Sequence, residues 1–143
     1  MNIREAVIGD IKELHEIRMA VKENILNTPG LVTEEDYKKY LTTDGKGWVS
    51  YTDEKITGFA IVDITENNIW ALFMRPEYEG QGTGRELHDT MVDWFFKHFK
   101  NKLWLGTAAN TRAAAFYRKA GWRETGKTAN EEIRFELAPA DRK

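Results

Sequence analysis

Apolar residues recur at helical spacing from Asp10 onward. Ile11, Leu14, Ile17, Val21 and Ile25 fall on one stripe and predict a helix that runs to the break at Asn27-Thr28-Pro29-Gly30. Before it, Ile3 to Val7 reads as a short strand ended by Gly9. Thr33 followed by Glu34, Glu35 and Asp36 is an N-cap with an acidic first turn, and predicts a second short helix through Tyr40 or Leu41. Trp48 to Thr52 and Ile56 to Ile64 read as two strands of a hairpin joined by the polar turn Asp53-Glu54-Lys55. The run Ile69 to Met74 is apolar without alternation, the pattern of a central strand covered on both faces. A long helix follows from about Gly84 to Phe99, with Leu87, Met91, Trp94, Phe95 and Phe99 as its apolar stripe. Lys102 to Leu105 reads as a strand and Asn110 to Ala120 as a helix stopped by Gly121. Trp122 to Thr128 and Ile133 to Leu137 form a last strand pair. The strand–helix–strand unit in the middle predicts a parallel, right-handed crossover. The class is α/β with a mixed sheet.

Composition narrows the function classes. The chain has 143 residues, fits one domain, and has 41% apolar against 31% charged residues, a globular mixture. A net charge of −2 argues against a general nucleic-acid or acidic-membrane binder. No cysteine is present, which excludes a disulfide scaffold, a thiolate metal site and a cysteine nucleophile. The opening Met1 to Glu5 carries acids at once and lacks the apolar core of a signal peptide, so a cytoplasmic location is expected. Residues 1–138 are expected to form the domain and 139–143 a short, loose polar tail.

The informative segment is Arg75-Pro76-Glu77-Tyr78-Glu79-Gly80-Gln81-Gly82-Thr83-Gly84-Arg85, between a buried strand and an amphipathic helix. Three glycines at alternate positions remove the Cβ atoms that would hold a ligand away from the backbone. The free N–H groups of the helix's first turn and its dipole favour an anion there, so a phosphate or pyrophosphate is the natural guest. The nucleotide P-loop needs a Gly-Lys-[Ser/Thr] ending that these glycines lack. The dinucleotide fingerprint fails because Arg85 stands where its third glycine belongs.

These residues resemble the GNAT (Gcn5-related N-acetyltransferase) superfamily, whose diphosphate motif is [Gln/Arg]-x-x-Gly-x-[Gly/Ala], often preceded by Pro-x-Tyr. Pro76, Tyr78, Gly80, Gln81, Gly82 and Gly84 match that pattern. The block Asn110-Thr111-Arg112-Ala113-Ala114-Ala115-Phe116-Tyr117-Arg118-Lys119-Ala120-Gly121-Trp122 is similar to the family's later helix, and Ile3-Arg4-Glu5-Ala6 to its opening strand. The first motif position, Arg or Gln in the family, is Glu79 here, which removes a cationic contact that Arg85 stands to replace. The resemblance implies a mixed, mostly antiparallel sheet of six to seven strands flanked by about four helices, around a central parallel β-α-β crossover. It implies acetyl-CoA as co-substrate, without a metal. The contacts it implies are Phe73, Met74, Glu79, Gly80, Gln81, Gly82, Thr83, Gly84, Arg85, Asn110 and Tyr117. The central strand and the one from Lys102 would splay, exposing backbone groups near Phe73 and Met74 to the pantetheine amides and to the thioester carbonyl.

Tyr117 takes the family position of a proton donor to the departing sulfur; by spacing alone it belongs to a packing face with Ala113, Phe116 and Ala120. Asn110 reads as an N-cap, a cofactor contact, or both. Glu23, Glu34, Glu35 and Asp36 stand where the family's first two helices wall the acceptor site; they either attract a cationic amine or form a helix cap and a solvated face. No general base stands out, since Trp70 to Met74 offers no carboxylate. His88 and His98 read as core histidines, and His15 and Glu77 as bases only through a water. The leading expectation is an N-acetyltransferase acting on a primary amine of a small molecule or peptide by direct attack. The alternative is a non-catalytic acyl-CoA-sensing module. Expected partners are acetyl-CoA and an amine acceptor, with no nucleic acid and no membrane; a homodimer stays open.

Overall fold

The computed structural model describes residues 2–21, 32–53 and 55–142. Its seven strands are β1 (Asn2–Glu5), β2 (Gly45–Thr52), β3 (Lys55–Asp63), β4 (Asn68–Met74), β5 (Leu103–Thr107), β6 (Arg123–Lys127) and β7 (Ile133–Leu137). They form one sheet in the order β1-β2-β3-β4-β5-β7-β6. Every neighbouring pair is antiparallel except β4 and β5. The four α-helices among the described residues are α1 (Ile11–Ala20), α2 (Glu34–Thr42), α3 (Thr83–His98) and α4 (Arg112–Lys119).

β3 shows why the sheet has two cores. Its alternate side chains divide between the faces: Ala60 and Val62 join Leu87, Met91 and Phe95 of α3, while Phe59 and Ile61 join Ile11, Leu14 and Ile17 of α1 and Tyr37 of α2. α4 adds Ala114 and Tyr117 to the α3 face. The predicted stripe of α1 ends early. Val21 is already extended, with φ −81° and ψ 114°, and Ile25 lies outside the described residues.

β4 carries the irregularity that matters. Its register against β3 slips by one, so that Ile61 faces Ala71 but Val62 faces Ile69, and Trp70 is the extra residue of a β-bulge. Trp70 and Ala71 therefore lie on the same face, that of α1, and Phe73 follows them there, while Leu72 and Met74 face α3.

β4 and β5 are paired at one position, Asn68 opposite Trp104. The Trp104 N–H donates to the Asn67 carbonyl at 3.0 Å, and Asn68 Nδ2 donates to the Trp104 carbonyl at 3.1 Å. Beyond that point β5 is paired only with β7, through Leu105–Phe135 to Thr107–Ile133. The far end of β4 is held from the other side. The Arg75 N–H donates to Thr57 O at 2.8 Å, Arg75 Nε donates to Ile56 O at 2.7 Å, and Glu13 on α1 accepts from the Ile56 N–H at 2.8 Å and from Arg75 Nη2 at 3.3 Å. A Cβ at Gly58 would collide with Met74 Sδ, so the glycine makes room for the last side chain of β4.

The segment after β7 is tied to the body. Pro139–Asp141 form a 3-10 turn, Asp141 pairs with Arg123 at 2.6 Å, and Arg142 Nε donates to Asp93 of α3 at 2.8 Å. Among the described residues, no helix is long and apolar enough to cross a membrane.

Candidate functional site

The glycine-rich loop occupies the junction between β4 and α3. Pro76–Tyr78 make one 3-10 turn, and Gly80 and Gly82 adopt left-handed backbone at φ 79° and 85°. Such angles favour residues without a Cβ. A Cβ built on either glycine meets nothing within 4 Å, so open space lies against the backbone at both positions. Gly82 is the N-cap of α3 and no side chain caps that helix. The first-turn N–H groups are thus left to an external acceptor, and the arrangement fits a diphosphate. Gln81 and Arg85 are exposed and Thr83 is buried.

Glu79 is not a lone acid at this cradle. Its carboxylate accepts from Arg112 Nη1 at 2.6 Å, joining the loop to the first residue of α4. Arg85 Nε donates to Asp89 one turn further along α3 at 3.1 Å.

Asn110 stands at φ 61°, just before α4, and does not cap it; that role belongs to Thr111, whose Oγ1 accepts from the Ala114 N–H at 3.2 Å. The Asn110 side chain is exposed and makes no hydrogen bond among the described residues.

Tyr117 is 6% exposed, and its hydroxyl likewise has no hydrogen-bond partner among the described residues. Burial pushes its phenol well above the usual value. Its ring packs edge-on against Phe116 and Trp122, with centroids 5.3 and 5.5 Å away. The ring is thus part of the core, and its packing does not engage the hydroxyl.

His88 is fully buried and satisfied. Nε2 accepts from Trp122 Nε1 at 2.9 Å, which assigns the proton to Nδ1, 2.9 Å from Asp89 Oδ1. Burial lowers its basicity. His98 is exposed, contrary to the core expectation. It lies at the last residue of α3, where its Nδ1 bonds Trp94 O and its ring packs on Trp94 with centroids 4.7 Å apart.

Leu72, Phe73 and Met74 all keep partial solvent access where β5 has left β4. On the acceptor side, Asp36 closes a capping box by accepting from the Thr33 N–H at 2.8 Å. Glu23 lies outside the described residues. His15 Nδ1 bonds the Tyr37 hydroxyl at 3.1 Å, and Glu77 bonds Lys55 at 3.4 Å. The residue that sequence reasoning missed is Arg18, whose guanidinium carbon lies 5.1 Å from the ring centres of both Trp70 and Phe73. Its signal is a cation inside the apolar stripe, directly after Ile17 and four residues after Leu14. Among the described residues, no group of three or more His, Asp or Glu side chains is placed to hold a metal.

Known proteins share this architecture. The chain is similar to the PaiA N-acetyltransferase of Thermoplasma acidophilum solved with coenzyme A, with a TM-score of 0.81 over 96% of this chain and 98% of that one at 17% identity. It is also similar to the ribosomal-protein-S18-alanine N-acetyltransferase structure from Escherichia coli, with a TM-score of 0.77 over 96% and 92% at 21% identity. In sequence, the ribosomal protein bS18-alanine N-acetyltransferase of Escherichia coli (strain K12) is 28% identical over 93 residues, 61% of this chain and 63% of that protein. The peptidyl-lysine N-acetyltransferase YjaB of Salmonella typhimurium is 29% identical over 90 residues, 60% of this chain and 56% of that protein. The match thus spans less than two thirds of the length of these curated relatives. Residues 11–122, from the start of α1 past the end of α4, match the Acetyltransferase (GNAT) family, and the chain belongs to it.

Proposed function

We propose that the protein is an N-acetyltransferase that moves the acetyl group of acetyl-CoA to the primary amine of a small molecule or peptide. The observation that carries this reading is the uncapped start of α3, set behind two left-handed glycines at the point where β4 has lost its β5 partner. Gly80 and Gly82 let the diphosphate reach the backbone, and the N–H groups of Thr83, Gly84 and Arg85 receive it. The backbone at Phe73 and Met74 faces the gap and is placed to polarise the thioester carbonyl. The amine nitrogen attacks that carbonyl carbon and an N–C bond forms; the C–S bond breaks with its electron pair going to sulfur, and the proton lost by the nitrogen passes through water to that thiolate. Tyr117 donates a hydrogen bond to the departing sulfur, and the Asn110 amide binds the CoA chain. In this reading the enzyme works in the cytoplasm.

Family membership and the relatives' named activities support the transfer. The relatives named for an alanine and a peptidyl lysine support amines at large as acceptors rather than one of them. The test is calorimetric titration with acetyl-CoA, together with thiol release in the presence of an amine panel. Binding and amine-dependent thiol release are expected. Binding without release from any amine would make the chain a sensing module instead.

A further inference from the structure

β4 offers no carboxylate from Ile69 to Met74, yet one lies on the other side of the gap. Leu103 and Leu105 of β5 and Phe135 and Leu137 of β7 belong to the core beneath α3. Trp104, Gly106, Arg134 and Glu136 therefore face the opposite side of the sheet, that of α1. Gly106 is the first position on that face after β5 leaves β4 at Trp104. Its backbone lies outside the left-handed region, so no turn demands a glycine there. A neighbour demands it instead. A Cβ on Gly106 would stand 2.9 Å from Glu132 Oε1 and 2.9 Å from Thr128 Cγ2. The half-buried Glu132 side chain thus lies across β5, over the bare backbone of Gly106 and at the edge of the gap.

The β6–β7 turn fixes Glu132 in that place. The Thr128 N–H donates to Glu132 O at 2.9 Å, and the Glu132 N–H donates back to Thr128 Oγ1 at 3.3 Å. Among the described residues its carboxylate makes no hydrogen bond or ion pair. The cations on the turn and on β7 are engaged with other acids. Lys127 lies 3.8 Å from Glu131, and Arg134 Nε donates to Glu136 at 3.0 Å with its guanidinium carbon 4.4 Å from the Trp104 ring centre.

We propose that Glu132 takes the proton of the attacking amine. The inference rests on the acetyl-transfer reading, in which the thioester lies in this gap. A glutamate side chain in water is about six units too weak a base to strip a free alkylammonium. The neutral amine therefore makes the attack, and its nitrogen becomes cationic and far more acidic as the N–C bond forms. A carboxylate then suffices. Glu132 accepts that proton, the C–S bond breaks with its electron pair on sulfur, and the resulting carboxylic acid passes the proton through water to the thiolate. The carboxylate is restored for the next turnover. The base thus comes from the β6–β7 turn rather than from β4, and Gly106 is the residue that makes room for it.

Steady-state kinetics with acetyl-CoA tests this on folded variants, using whichever of Ala-Ala-amide and Nα-acetyllysine amide turns over faster. Glu132→Gln should lower kcat by about 100-fold, the low end of what a general base supplies, and change KM by less than about threefold. Glu132→Ala should lose as much, and added formate should restore its rate by about tenfold or more, because the small acid fits the vacated space. Glu132→Gln still fills that space and should not respond to formate. Gly106→Ala keeps Glu132 in the chain but puts a Cβ where its carboxylate lies, and should lower kcat by about tenfold or more. An unchanged kcat in both Glu132 variants, a loss carried by KM, or a loss in Glu132→Ala that formate leaves untouched overturns the role of Glu132 and leaves the transferase reading intact. Absence of amine-dependent thiol release from the parent protein sinks that reading, and this role with it.

Discussion

Glu79 and Arg112, 33 residues apart, form an ion pair of 2.6 Å that closes the glycine loop onto α4. The pair reconciles an acid in the family's cationic position with an anionic guest. Arg112 screens a carboxylate that would otherwise repel a diphosphate. Its side chain is 71% exposed, so the pair adds little to stability. Arg112→Ala should therefore leave the melting temperature nearly unchanged and weaken acetyl-CoA binding by about tenfold, or ~1.4 kcal/mol. Adding Glu79→Gln to that variant should recover most of the loss. Calorimetry on the two variants checks both statements, and a double variant as weak as the single one would show that Arg112 acts on the ligand directly.

Gly82 offers a test of the cradle that keeps the loop intact. At φ 85°, a valine would strain the backbone whatever the space around it. Asparagine tolerates left-handed angles and finds open space for its side chain. Gly82→Asn should melt within a few degrees of the parent yet bind acetyl-CoA about tenfold or more weakly, because the new side chain stands where the diphosphate approaches. Undiminished affinity would move the cofactor site elsewhere.

For Tyr117 the chemistry sets the size of the effect. A thiol with a pKa near 8.5 is already more acidic than a phenol near 10. Burial raises the Tyr117 phenol further, so complete proton transfer to the sulfur is uphill and the useful contribution is a hydrogen bond. Tyr117→Phe should lower kcat by roughly 10- to 100-fold, about 1.4–2.7 kcal/mol of barrier. Acetyl-CoA affinity should hold, since phenylalanine preserves the packing against Phe116, Trp122 and Phe135. Steady-state kinetics beside calorimetry measures this, and an unchanged kcat would reduce Tyr117 to its ring.

His88 makes stability depend on pH. Its folded form is neutral, with both ring nitrogens engaged and its basicity lowered by burial, whereas the unfolded chain takes up a proton near pH 6.5. Between the folded and unfolded values the unfolded state binds more protons, so stability is full above about pH 6.5 and falls as the pH drops below it. Thermal melts from pH 8 to pH 5 should show this decline. His88→Gln, which keeps an acceptor for Trp122 Nε1, should flatten it and be less stable at pH 8.

Much of this was legible because the signals were local. The order of strands and helices follows from periods of two and 3.6 read over short windows, and the cradle from three glycines in five residues. Thr33 and Asp36 announced a helix start within four positions, and the structure closes it as a capping box. What escaped depends on tertiary placement. Nothing near Glu79 in the chain points to Arg112, and nothing near His88 points to Trp122. The exposure of His98 turns on its place as the last residue of α3. Nothing near Arg18 in the chain points to Trp70 or Phe73, whose rings the sheet brings within 5.1 Å of its guanidinium carbon. The bulge at Trp70 was hidden by the property that marked the strand as central, since a run of apolar residues without alternation has no parity to break.

Parity is what that bulge changes. In a strand, side is decided by odd and even, and one extra residue exchanges the two for everything downstream. The inserted position at Trp70 sends Phe73 to the layer of α1 and Arg18, and leaves Leu72 and Met74 to the layer of α3 and Tyr117. Substitution at Trp70 can alter the chemistry of one wall. Loss of Trp70 itself would leave Ile69 and Ala71 as ordinary alternating neighbours, so the bulge would vanish while Phe73 and Met74 kept their walls. The bulge is thus a place where β4 holds one residue more than β3 opposes, and the strand on either side of it stays in step with its neighbour.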